Sequence, residues 1–474
     1  MKTKTNKIDM TNGPIIKLSL LFAIPIIIGN ILQQLYNTVD TAVISNFCDD
    51  SSSIAAVGTS AHPVELFLCI FLGLGTGVSI LVAQAVGNKD DKKLKETVAT
   101  SCTFLYLCAV PVTILGFIFT PLVLTIMQAP DTISEVTGTS VKALATDYTR
   151  IIFLSTLGNL GYNMNAGILR GLGDTKASLL FLFISCIVNI VLDILLVAVI
   201  PLGVQGAAIA TGIAMFASWF FSIVYIKKNY SHIGYTILPR KMNKAILGEI
   251  VKIGLPLGLN NSIYSLGHIM MQSLTNTQGE DFIAACSVAS KLTGIANVAI
   301  TSLSSAATTF SGQNYGAKKY SRLKKGGWLI PVFSGAITLT GGLLCVTFGK
   351  PLLSIFTEPV ETNMVYFYAL RYVNVMLPCT WLYAVFNGII CFANGLGEVK
   401  YPTIINILML WAVRIPVGYA IAIFFDGTWL MLCFPISFAF GMICMFAFFL
   451  TKRWKEICRL AKEEKEQAKA YSHS

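Results

Sequence analysis

Few side chains in this 474-residue sequence could do chemistry, and the most telling lie where charge is least expected. Asp40 stands in ILQQLYNTVDTAVISNF (31–47), and Asp193 in ISCIVNIVLDILLVAVI with Asn189 one helical turn before it on the same face. An amide and a carboxylate at that spacing form a polar spot in an apolar helix. It can take a proton on Asp193 or offer oxygens to a hard cation such as Na+; an interhelical hydrogen bond is the other reading. Gln33, Asn37 and Asp40 or Thr41 recur at helical spacing, flanked by Gln34 and Tyr36. Asp40 either belongs to a site of the same kind or sits at the edge of its block, which ends about six residues, or about 9 Å of helix, later.

The other ionisable residues inside or near apolar blocks are Lys291, Arg414, His268, Glu65, Asp147 and Arg150. Lys291 and Arg414 read as counter-charges or as side chains reaching for a helix end. His268 reads as a core histidine or a proton relay. The second half of the chain has no deep carboxylate, so cation coupling is expected in the first half. There is no GxSxG elbow, Walker loop, HExxH or Cys/His nucleophile pair, which argues against an enzyme. The twelve cysteines form no CxxC pair and the four histidines have no metal-ligand spacing, so no cofactor is expected beyond a coupling ion.

The elements that must hold these residues are membrane helices. Hydrophobic residues make up 54% and charged residues 12% of the chain, against about 25% charged in soluble domains, and mean hydropathy is +0.68. Twelve blocks are long enough to span a bilayer: 14–46, 54–84, 94–119, 144–170, 175–199, 204–226, 249–275, 282–311, 325–348, 365–393, 401–425 and 428–451. The alternation of a membrane β-barrel is missing, so the fold class is all-α integral membrane. The first block is too long for a cleavable signal peptide and has no small-residue cleavage site. With the N-terminus cytoplasmic, 29 of the 35 Lys and Arg residues fall on that side; Lys142, Arg150, Lys350 and Arg371 fall on the other, and Lys291 and Arg414 lie inside blocks. The net charge of +11 therefore reports topology, with both termini cytoplasmic, and not a nucleic-acid partner.

The blocks are duplicated. Gln84–Ala85–Val86–Gly87 recurs as Gln313–Asn314–Tyr315–Gly316, RGLGDTK (170–176) recurs as NGLGEVK (394–400), and each half begins with a proline inside its first block, Pro25 and Pro256. The expected organisation is a six-helix lobe over 1–228, a linker over 229–248, a second six-helix lobe over 249–452 and a tail over 453–474. Six crossings per copy put both copies in the membrane the same way up, related by an axis along the membrane normal, with a substrate path between them. The tail, from KRWKEICRLAKEEK, reads as a solvated or interfacial helix.

These residues resemble the MATE (multidrug and toxic compound extrusion) transporters over essentially the whole chain. The features that carry the resemblance are IPIIIGNILQQLYNTVDTAVIS, QAVGNKD, NAGILRGLGDTK, SGQNYGAKK and NGIICFANGLGEVKYP. It implies two six-helix lobes arranged as a V in a bacterial inner membrane. It also implies a monomeric antiporter that expels amphipathic, often cationic drugs and dyes in exchange for inward H+ or Na+. Matched residue by residue, the family's cation site falls on Asp40, Asn189, Asp193 and Thr211, which would be metal ligands if Na+ is the coupling ion. Its substrate cavity falls on Gln34, Tyr36, Asn37, Asn163 and Met215. The acid that some members carry in the seventh helix has no counterpart in GLNNSIYSLGHIMMQ. A flippase for a lipid-linked sugar or cell-wall precursor is the alternative, since related families share the bundle plan.

Overall fold

Long apolar runs leave backbone hydrogen bonding no outlet but the helix, and the computed structural model is built from helices accordingly. It describes residues 7–48, 51–126, 131, 133, 138–239, 241–354 and 363–472, without the side chains of 51–55, 61–63, 65–67 and 468–472. The helices are α1 (Ile15–Phe47), α2 (Ser51–Gly87), α3 (Asp91–Ile126), α4 (Val141–Leu154), α5 (Thr156–Leu172), α6 (Thr175–Asp193), α7 (Gly203–Asn229), α8 (Lys244–Asn276), α9 (Glu280–Gly316), α10 (Tyr320–Thr347), the short α11 (Gly349–Leu353), α12 (Met364–Met376), α13 (Thr380–Gly395), α14 (Lys400–Leu408), α15 (Ile415–Phe424), α16 (Cys433–Phe446) and α17 (Lys452–Ser472).

Among the described residues, twelve helical rods answer to the twelve blocks. Ten are long and apolar enough to cross a membrane on composition alone. The other two are α4–α5, cut at Ser155, and α8, which carries Glu249, Lys252, Asn260 and Asn261. Large apolar side chains such as Leu107, Ile118, Phe220, Leu344 and Ile443 point outward, as they do when the solvent is lipid.

The chain divides into two compact units. The first contains Pro25–Val86 and Asp90–Leu259; the second contains Asp9–Ile24, Gly87–Lys89 and Asn260–Ser474. The divide runs through α1 at Pro25 and through α8 just after Pro256, so each helix changes unit beside the proline that removes one of its hydrogen bonds. Within the first unit the early part of α8 lies directly on α2. A Cβ on Gly77 would come within 2.9 Å of the Gly254 nitrogen, so only glycine fits there.

The repeat seen in the sequence recurs in the backbone. Gly173 and Gly397 hold the same place in their motifs and both are left-handed, at φ +92° and +85°. The Gly173 amide donates to Arg170 O and the Asp174 amide to Leu169 O at 3.0 and 2.8 Å; the Gly397 amide donates to Asn394 O and Glu398 to Ala393 O at 2.9 and 3.1 Å. Lys89 and Lys318, at matching places after α2 and α9, share the left-handed region at φ 54° and 55°. The fifth and eleventh crossings each contain a π-helical stretch, Ile194–Val199 after α6 and Met409–Arg414 between α14 and α15. Such stretches are rare and concentrate at functional sites.

The SGQNYG motif is a clamp. Inside the second unit the Met10 amide donates to Gln313 Oε1 at 3.0 Å, Asn314 Nδ2 donates to Met10 O at 3.0 Å, and Arg322 Nη1 donates to Gly13 O at 2.8 Å. These bonds pin the segment entering α1. The tail helix α17 also differs from a purely solvated element. Trp454, Ile457 and Ala461, at helical spacing, are buried, with the Trp454 ring edge-on to Phe392 at 6.1 Å.

Candidate functional site

Helices α1, α6 and α7 of the first unit converge on one polar spot. The i, i+4 spacing puts Tyr36 and Asp40 on one face of α1, and Asn189 and Asp193 on one face of α6. Hydroxyl-to-carbonyl bonds lock α6 to α7 above them: Ser185 Oγ donates to Ala214 O at 3.2 Å, and Ser218 Oγ to Phe181 O at 3.1 Å. On the other side an apolar cluster of Val43, Ile44, Val197 and Ala207 closes the spot, with Val197 supplied by the π stretch.

Thr211 is the hub. Its Oγ1 accepts from Tyr36 Oη and from Asn189 Nδ2, each at 3.4 Å, which leaves its own O–H to donate. Asp40 is 8% exposed, and Asn189 and Asp193 are fully buried. The carboxyl groups of Asp40 and Asp193 interact directly. Among the described residues, Asp40 Oδ1, Asn189 Oδ1 and both oxygens of Asp193 have no hydrogen-bond partner. Buried oxygens with no donor are expensive, and here four of them share one place. The donor set is oxygen throughout, which suits a proton or a hard cation and not a soft metal; among the described residues no His/Cys/Asp/Glu cluster forms a conventional metal site.

The structure therefore brings Asp40, Asn189, Asp193 and Thr211 together. The residues assigned by resemblance to the substrate wall are scattered. Tyr36 turns its hydroxyl to Thr211, while Gln34 and Asn37 lie exposed on α1. Met215 is half-buried, one turn beyond Thr211 on α7. Asn163 bonds to Asn159 and lines a separate small cavity with Phe71, Leu105 and Met164. Asp147 accepts from Gln205 at 2.9 Å, Arg150 covers the Phe117 ring at 5.0 Å, and Lys291 is exposed on α9; the Glu65 side chain lies outside the described residues. One residue went unread in the sequence: Tyr148 on α4, half-buried and within electrostatic reach of Asp40, Asp193 and Tyr36. Its only sequence signal is a polar ring in an apolar block, six residues before the end of α4.

A duplicated helical membrane protein that buries two carboxyl groups in one unit has the build of a transporter. The MatE family model matches residues 25–195 and 256–420, and the chain belongs to that family. Among its relatives, the probable multidrug resistance protein YoeA of Bacillus subtilis is 28% identical over 93% of this chain and 95% of its own length. The multidrug export protein MepA of Staphylococcus aureus strain MSSA476 is 25% identical over 88% of this chain and 89% of its own. The fold matches solved structures at 22–23% identity. One is an outward-facing conformation of a multidrug resistance MATE family transporter, at a TM-score of 0.81 covering 98% of this chain and 100% of that one. Another is a MATE in the bent conformation, at 0.83 covering 98% and 99%.

Proposed function

We propose that this MATE-family transporter exports amphipathic, often cationic drugs and dyes, driven by inward movement of H+ or Na+ through the site on α1, α6 and α7. The observation that carries this reading is the approach of Asp40 and Asp193, whose carboxyl groups and Asn189 together present four partnerless buried oxygens. Two adjacent buried carboxylates hold both charges only when a cation stands with them. A proton or Na+ entering from outside offsets one of the two negative charges and relieves their repulsion; α1 then shifts about the hydrogen-bond gap left by Pro25, and the drug is released. Drug binding from the cytoplasm requires the pair to be free again, so ion and drug compete through one equilibrium. The names of the relatives support the drug class, and the concentration of Lys and Arg on one side supports a cytoplasmic-membrane protein with both termini inside.

The test is fluorescent-dye movement in inverted vesicles, with a pH gradient and a Na+ gradient imposed separately. Efflux driven by one gradient identifies the coupling ion. No efflux under either gradient, in vesicles that hold the folded protein, sinks the proposal.

A further inference from the structure

The second unit contains a buried charge that no carboxylate among the described residues balances. Arg414 closes the π stretch of the eleventh crossing and is 1% exposed. Its Nε donates to Ser437 Oγ at 3.0 Å and its Nη1 to Tyr264 Oη at 3.1 Å. Its guanidinium carbon lies over Phe434 at 4.8 Å and Phe438 at 5.0 Å. Nη2 is buried with no hydrogen-bond partner, and no carboxylate among the described residues pairs with the group.

A guanidinium has five donors, and two are engaged. It stays charged at any physiological pH, and a buried cation without an anion is among the costliest arrangements in a membrane. The ring faces recover part of that cost, and the two hydroxyls another part. What remains is one N–H on Nη1 and both on Nη2, the kind of donors that pair with the oxygens of a carboxylate. The surrounding Phe434, Phe438 and Tyr264 rings favour an anion that also carries an apolar or aromatic body. Halide and phosphate lack such a body.

The contrast with the first unit follows the repeat. There the fifth crossing places Asp193 at the start of its π stretch, in a pocket rich in partnerless oxygens. At the corresponding crossing of the second unit the π stretch ends on a cation, with a partnerless donor.

We propose that Arg414 is the core of a carboxylate-binding site in the second unit, taking an amphipathic organic anion or the carboxylate end of a zwitterion. The inference stands apart from the cation reading, because it concerns another unit and is tested by binding rather than by transport.

The probe is sodium benzoate, offered to the purified full-length chain in lipid nanodiscs at constant ionic strength. Uncharged benzamide has nearly the same shape and serves as the control. The expected result is saturable benzoate binding near one per chain in equilibrium dialysis, with a matching rise in unfolding temperature and neither effect from benzamide. Arg414→Gln should abolish both effects, and Arg414→Lys should weaken binding by about tenfold, since an ammonium cannot make the paired contact. The wild-type comparison decides the matter even if Arg414→Gln does not fold. Equal binding of benzoate and benzamide, a saturable effect of chloride alone, no benzoate binding, or benzoate binding undiminished in a folded Arg414→Gln protein each overturns the proposal.

Discussion

Asp40 and Asp193 bring their carboxyl groups together from two different crossings, and Thr211 on a third ties Tyr36 and Asn189 to the same spot. The pair is therefore assembled by tertiary packing of α1, α6 and α7 and not by any one helix. In the proposed mechanism a cation held by the pair would act on α1, the same helix whose ladder is broken at Pro25.

Replacing either acid with its amide keeps the shape and removes the ionisable oxygen. Asp193→Asn and Asp40→Asn should each lower ion-driven dye efflux roughly 5–150-fold, the usual size of a coupling between two sites. Membrane insertion and folding should be retained, because the amide can satisfy some of the partnerless oxygens nearby. Efflux in vesicles, normalised to folded protein, measures this; wild-type rates in either variant would refute the assignment.

Thr211 is a subtler test. Thr211→Ala removes the acceptor shared by Tyr36 and Asn189, and each lost hydrogen bond is worth about 0.5–1.5 kcal/mol. The concentration of coupling ion that gives half-maximal efflux should rise, while Thr211→Ser should restore it. Tyr36→Phe removes one of the two donors and should fall between them. If Thr211→Ser behaves like Thr211→Ala, the hydroxyl is not the working group.

The acids of this site were legible in the sequence because a carboxylate inside an apolar block is its own signal. Thr211 came only from family resemblance, since a hydroxyl in a membrane helix is too common to stand out. Tyr148 was not legible, because its direction depends on where the fourth crossing breaks at Ser155. The repeat of Gln84–Gly87 as Gln313–Gly316 was readable, but its role as a clamp was not: Met10 lies 303 residues from Gln313. The two π stretches carry no pattern of their own, and composition gave no hint of either. Arg414 was legible as an ionisable residue in an apolar block, but its ring-lined setting depends on α8 and α16 meeting around it.

The paired turns at Gly173 and Gly397 give a stability prediction. A left-handed residue with a side chain costs about 1–2 kcal/mol. Gly397→Ala should lower stability by an amount of that order and the unfolding temperature with it. Gly173→Ala should cost more, because its new Cβ would also press on the backbone of Ile8, with the Ile8 nitrogen at 3.3 Å. Thermal unfolding of the two variants in the same detergent ranks them; equal shifts would contradict the close approach of Ile8.

The segment entering α1 should loosen in acid. Partial burial of Asp9 favours its neutral form, but hydrogen bonds from Thr11 and Asn12 and the charge of Lys319 outweigh it and hold the carboxyl below its ordinary value near 3.8. The bonds are short: Thr11 N and Thr11 Oγ1 reach Asp9 Oδ1 at 2.8 and 2.7 Å, and Asn12 Nδ2 reaches Oδ2 at 2.8 Å. Because the folded value is depressed, the stabilising contribution is complete above the unfolded value and fades as pH falls through the folded one. Amide hydrogen exchange at Thr11, corrected for its intrinsic pH dependence, should therefore keep its protection down to about pH 4 and lose it below. In Asp9→Asn the acid-dependent step should disappear while the clamp from Gln313 and Arg322 persists. A step of the same size in that variant would assign it to another group.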